Sequence, residues 1–147
     1  MGRYVVEGLL GPGGVTETYL ARLSDDPGAS DRLFALKLLR RDRVPEPVFA
    51  EVARRFVAAG QRLREFQRPG FGRVVDVADQ GEATFIVSEY LPGHDLERLL
   101  EMSRAEGREH TGVEPELAGL IGAEVARLLQ VAHTAKPSFA PTSNCCK

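Results

Sequence analysis

A single lysine and a glycine-rich turn carry most of the chemistry this sequence offers. Lys37 lies in Leu33-Phe34-Ala35-Leu36-Lys37-Leu38-Leu39, where period-2 alternation puts Ala35 and Lys37 on one face and Phe34, Leu36 and Leu38 on the other. A lysine held on a strand is a point charge suited to an anion such as phosphate; the plainer reading is a solvent-facing side chain. Upstream stands Gly11-Pro12-Gly13-Gly14-Val15-Thr16, with three glycines in four positions. Glycine tolerates positive φ and lets backbone approach a ligand closely, so such a turn can lay N–H groups over phosphates. The residues after it, Glu17 to Leu23, are strand-like in their Thr/Tyr content, whereas a dinucleotide fold would need a helix there. Other chemistries find little support. His94, His110 and His133 are scattered, Cys145 and Cys146 are adjacent and expected to be free thiols, and no Ser-His-Asp or Cys-His constellation occurs.

A lysine opposite a glycine turn needs a sheet to position it. The pattern predicts strands over Tyr4 to Leu10, Glu17 to Leu23, Leu33 to Leu39, Gly72 to Val77 and Thr84 to Glu89. A helix is expected over about Val48 to Phe66, with Phe49, Val52, Ala53, Phe56, Val57, Gly60, Leu63 and Phe66 at helical spacing; Pro69-Gly70 should stop it. Arg40 to Pro47 reads as a connector. A short helix follows Leu91, and the longest periodic helix spans Pro115 to Ala135, with a stripe of Leu117, Leu120, Ile121, Val125, Leu128 and Leu129. Residues 136–147, rich in Pro, Ser and Thr, are expected to be a disordered tail.

Composition sets the outer limits. The 147 residues are one domain's worth, 43% apolar and 27% charged, with a net charge of −2 that argues against general nucleic-acid binding. From Lys37 to Arg73, ten Lys/Arg stand against four Asp/Glu, a basic stretch that reads first as a solvated helix face. No apolar run is long enough to span a bilayer and the first residues lack a signal-peptide core, so no membrane contact and a cytoplasmic location are expected.

The glycine hairpin followed by Phe34-Ala35-Leu36-Lys37 resembles the start of a protein kinase of the bacterial Ser/Thr type, whose patterns are G-x-G-x-x-G-x-V and V-A-I-K. Further phrases are similar in register. Arg55-Phe56 to Leu63 resembles the R-F-x-x-E-x-x-x-L helix, and Gln67-Arg68-Pro69 to Val77 resembles H-P-N-I-V-x-V-x-D-V. Phe85 to Leu96 is similar to the hinge phrase Y-L-V-M-E-Y-x-x-G-x-x-L, and Ala132-His133 to the A-H before the catalytic loop. The resemblance covers about residues 2 to 133. It implies an α+β fold: a kinase-like N-lobe of five antiparallel strands and one packed helix over residues 1–90, then hinge and first C-lobe helices over 91–135. It also implies ATP contacts at Gly11, Gly13, Gly14, Ala35 and Lys37, with Glu89 and Leu91 offering backbone groups to the adenine edge. Ser88 would guard the back of that pocket, or simply be a small residue packed at a strand end.

Departures from the family pattern weaken this site. The helix glutamate that would pair with Lys37 is Ala59, the third turn glycine is Thr16, and the adenine-capping valine is Thr18. Nothing after His133 resembles H-R-D-x-x-x-x-N or D-F-G, so the catalytic aspartate and the magnesium ligands have no counterpart. The expectation is a kinase-like chain truncated before the catalytic loop, inactive alone, with weak or vestigial ATP binding and no metal ligands. A pseudokinase interaction module, and the N-lobe half of a split kinase, are the alternatives. Partner contact or self-association is expected through the Pro115 to Ala135 helix, whose stripe has little else to pack on.

Overall fold

The computed structural model describes residues 2–24, 32–81, 83–105 and 113–135. The expected tail, with Cys145 and Cys146, lies outside them. The chain divides after Leu91 into two units, Met1–Leu91 and Pro92–Lys147.

The first unit is built on strands β1 (Tyr4–Pro12), β2 (Thr16–Leu23), β3 (Phe34–Leu39), β4 (Val74–Asp79) and β5 (Thr84–Glu89). They form one antiparallel sheet in the order β1-β2-β3-β5-β4. Register makes the two faces explicit. Glu17, Leu38, Phe85 and Ala78 lie opposite one another in a row across four strands, while Thr18, Lys37, Ile86 and Val77 form the adjacent row, which points the other way.

On the first face, Ala21, Phe34, Leu36, Phe85 and Val87 are buried, each large side chain contributing roughly 1.5–3 kcal/mol by leaving water. Tyr4 joins them, edge-on to Phe34 at 5.8 Å and to Phe85 at 6.2 Å between ring centroids. Its hydroxyl donates to Asp76 Oδ2 at 3.0 Å, and Arg3 pairs with the same oxygen at 3.2 Å. The start of β1 therefore reaches β4, the opposite edge of the sheet.

Helix α1 (Glu46–Glu65) covers part of the second face. Ala53 packs with Leu39 and Val44, supported by Phe49, Val52 and Phe56. A Cβ on Gly60 would stand 2.8 Å from Ile86 side-chain carbons and 3.0 Å from Val77, so only glycine lets this turn of helix settle onto the sheet. Leu63, expected in the same stripe, is 41% exposed instead. The helix starts two residues earlier than expected because Pro47 sits within its first turn, where a missing N–H costs no hydrogen bond. It ends with the Phe66 N–H on the Arg62 carbonyl at 3.0 Å, before Pro69 is reached. Gly70, at φ 87°, then turns the chain. Arg41–Arg43, read as connector, forms a 3₁₀ turn, and β4 lies two residues later than expected.

In the second unit, α2 (Leu96–Ala105) is capped by Asp95, whose Oδ1 accepts the Arg98 N–H at 2.8 Å. Helix α3 (Pro115–Thr134) has no buried residue. Its Leu117, Leu120, Val125 and Leu129 are exposed, Leu120 by 68%. Among the described residues no helix is long and apolar enough to cross a membrane.

Candidate functional site

The ladder brings Lys37, Ala35, Thr18 and Ser88 onto one face, because Thr18 lies opposite Lys37 and Ala35 lies opposite Ser88. The Ser88 hydroxyl approaches the Ala35 carbonyl at 3.5 Å, at the limit of a hydrogen bond. Lys37 is exposed, and no hydrogen bond or ion pair holds it among the described residues. Helix α1 stands on this face: Gly60 seats it on Ile86, the residue opposite Lys37 in the ladder. The neighbouring Ala59 is exposed and offers no acceptor. Glu51, on the same helix, is engaged by Arg54 at 2.8 Å and Arg55 at 2.6 Å. Those two arginines, Arg54 foremost, hold its carboxyl down to about 2.

The glycine turn is built differently from the sequence expectation. None of Gly11, Gly13 and Gly14 has a positive φ, so left-handed backbone is not what these positions need. The need lies in close approach at Gly13, where a Cβ would meet Thr16 Oγ1 at 2.7 Å. The Gly13 N–H donates to the Thr16 carbonyl at 2.8 Å and closes a tight hairpin. That donor is occupied within the turn.

Sequence reasoning missed a polar cluster beside this turn. The carboxylate of Glu17, a residue 8% exposed, accepts the Tyr19 hydroxyl at 2.5 Å, Arg43 at 2.5 Å and Arg40. Arg43 also donates to the Gly13 carbonyl at 3.1 Å, and the Arg40 N–H to the Val15 carbonyl at 2.9 Å. The Tyr19 hydroxyl, then Arg40 and Arg43, hold the Glu17 carboxyl below its ordinary range despite burial. Arg40 and Arg43 stand three apart at the end of β3, the one sequence signal for the cluster. Their partner lies more than twenty positions upstream, and only the β2–β3 register brings it near.

At the end of the sheet away from the turn, where Glu89 lies opposite Phe34 and so on the face turned away from Lys37, the Glu89 N–H donates to the Arg73 carbonyl at 2.9 Å and the Tyr90 N–H to the Leu33 carbonyl at 3.2 Å. The Glu89 carboxylate faces Arg32 at 3.3 Å and Arg73 at 3.5 Å. Leu91 is 70% exposed, and its backbone makes no hydrogen bond among the described residues. A separate groove of about 570 Å³ runs beside α1, lined by Phe49, Ala53, Val57 and Asp79, and none of the expected site residues lines it.

Known proteins are similar to this chain in sequence. The chain is 28% identical over 131 residues to a probable serine/threonine-protein kinase of Clostridium perfringens, covering 89% of this chain and 17% of that protein. It is 27% identical over 138 residues to the serine/threonine-protein kinase PkaA of Streptomyces coelicolor, covering 89% and 24%. With the serine/threonine-protein kinase PknD of Chlamydia muridarum the identity is 32% over 101 residues, covering 69% and 10%. The chain belongs to the protein kinase-like family. No protein-family model matches it. The kinase-like chain thus spans a quarter or less of the length of these relatives. Its five-stranded antiparallel sheet, α1 and the helices after them agree with a kinase N-lobe followed by further helices.

Proposed function

We propose that the first unit is the nucleotide-contacting lobe of a Ser/Thr kinase-like protein, with a weakened ATP site. Lys37 would meet the phosphates, the turn at Gly11, Gly13 and Gly14 would cover them, Ala35 would line the adenine, and Glu89 and Leu91 would offer it backbone groups. The observation that carries this reading is Lys37 itself, aligned with Thr18, Ala35 and Ser88 on one sheet face and without an acid partner among the described residues. A lysine with nothing to orient it is a less effective phosphate clamp. On their own, the 147 residues contain no H-R-D or D-F-G segment, and the reading assigns them nucleotide contact without phosphoryl transfer. It gives no part to a metal, because the D-F-G and catalytic-loop residues that hold magnesium in the family have no counterpart in these residues. A cytoplasmic setting, where ATP is supplied, belongs to the same reading. Calorimetric titration with ATP should give weak binding that magnesium barely changes. A tight complex that magnesium strengthens further would overturn the weakened site.

A second reading, a pseudokinase-type contact module or one half of a split kinase, draws on α3. Its exposed leucines suit a protein surface or a second copy of this chain better than water. Sedimentation of the full chain should show self-association, and a chain ending after Gly112 should be more monomeric. A full chain that sediments as a clean monomer, with a melting temperature that truncation lowers, would place the stripe inside its own fold.

A further inference from the structure

The arginine pair beside the glycine turn does something the nucleotide reading does not require. Arg43 is a fork: one nitrogen donates to the Gly13 carbonyl and the other to Glu17 Oε1. Glu17 shares its row with Leu38, so it faces away from the side that carries Lys37. Tyr19 and Arg40 hold the Glu17 carboxylate in place, and the Arg40 backbone holds Val15. The turn is therefore tied at Gly13 and at Val15, from the connector between β3 and α1, while the Gly13 N–H is occupied by Thr16.

We propose that Arg43, anchored by Glu17, is a latch that keeps the glycine turn in its self-bonded hairpin and off the Lys37 face. Arg43 is a positioning residue, because it reaches a ligand only through Gly13. A phosphate chain that recruits the turn must compete with the latch, so the latch lowers affinity for phosphate-bearing ligands and leaves the adenosine part untouched. This consequence rests on the nucleotide reading above; the latch itself does not.

The test uses the full chain, with amide exchange across residues 13–16 and titrations with ATP and with adenosine. Losing a hydrogen bond from a charged donor corresponds to roughly a tenfold change in an equilibrium. Arg43→Ala should therefore speed exchange at Gly13 and tighten ATP by about that tenfold factor, with adenosine unchanged. Arg43→Lys keeps a cation near Glu17 but cannot span both acceptors, so it should shift both readings in the same direction by less. It also serves as the test variant if the alanine protein fails to fold. Unchanged exchange at Gly13 in either variant would overturn the latch. Faster exchange with weaker ATP binding would overturn the restraint and make Arg43 a support for the closed site. If neither ATP nor adenosine binds any of the proteins, the nucleotide reading falls, and the exchange result still decides the latch.

Discussion

The two faces of β2 and β3 treat charge in opposite ways. On one, Glu17 lies almost fully buried with a tyrosine and two arginines around it. On the other, one residue further along β2 and across to β3, Lys37 stands exposed with no partner among the described residues. Buried ionised groups persist only where hydrogen bonds satisfy them, so the Glu17 side needs its whole cluster. An exposed cation needs nothing from the protein. What the contrast teaches is that the two faces use charge differently: the polar network on one fixes the backbone of the turn, and Lys37 on the other takes no part in holding the fold among the described residues.

The sharpest break of this comparison comes from two adjacent residues on opposite faces. Leu36→Ala should cost about 2–5 kcal/mol in urea unfolding, because it empties a fully buried site, whereas Lys37→Ala should stay within about 0.5 kcal/mol. A comparable loss at Lys37 would mean that it is paired within the fold after all. A smaller effect should separate the charged cluster from ordinary surface pairs. The folded Glu17 carboxyl lies below its ordinary 4.5, so its contribution is complete above the unfolded range and is lost as pH falls through the folded value. Glu17→Gln should therefore lower the melting temperature at neutral pH by several degrees, and the difference from wild type should shrink on acidification. A difference that is flat or widens in acid would show that the charge contributes nothing. The smallest effect is repair of the bare face. Ala59→Glu would give Lys37 an exposed acid partner worth about 0.2–1 kcal/mol, which corresponds to at most about fivefold tighter ATP. No gain in a titration would show that α1 does not bring residue 59 within reach of Lys37.

Elements whose pattern is purely local were legible in the sequence. The bounds of β5 are those expected, Thr84–Glu89, because a short aromatic and β-branched run is set off by Asp79-Gln80-Gly81 before it and Pro92-Gly93 after it. The alternation around Lys37 gave its face correctly, since a strand's period leaves no other choice. What the sequence concealed depended on contacts between distant residues or on backbone angles. Pro47 reads as a helix breaker until the first turn of α1 is seen to tolerate it. The glycines of the turn suggest left-handed backbone, yet the constraint is the space between Gly13 and Thr16. The Glu17 cluster combines residues separated by 23 and 26 positions, which no periodicity connects.

The hydrogen bond from Tyr4 to Asp76 joins residues 72 positions apart in sequence and ties the first strand of the sheet to its last. An open sheet presents two rows of unpaired backbone groups that a strand from another molecule can extend, the usual start of edge-to-edge aggregation. Here the Tyr4 and Arg3 side chains bridge the core face from β1 to Asp76 on β4, which holds the sheet curled over its buried residues. Both β1 and β4 remain edge strands, and the stretch of β1 nearer the glycine turn, where Leu9 and Leu10 are exposed, is the more apolar invitation to such pairing.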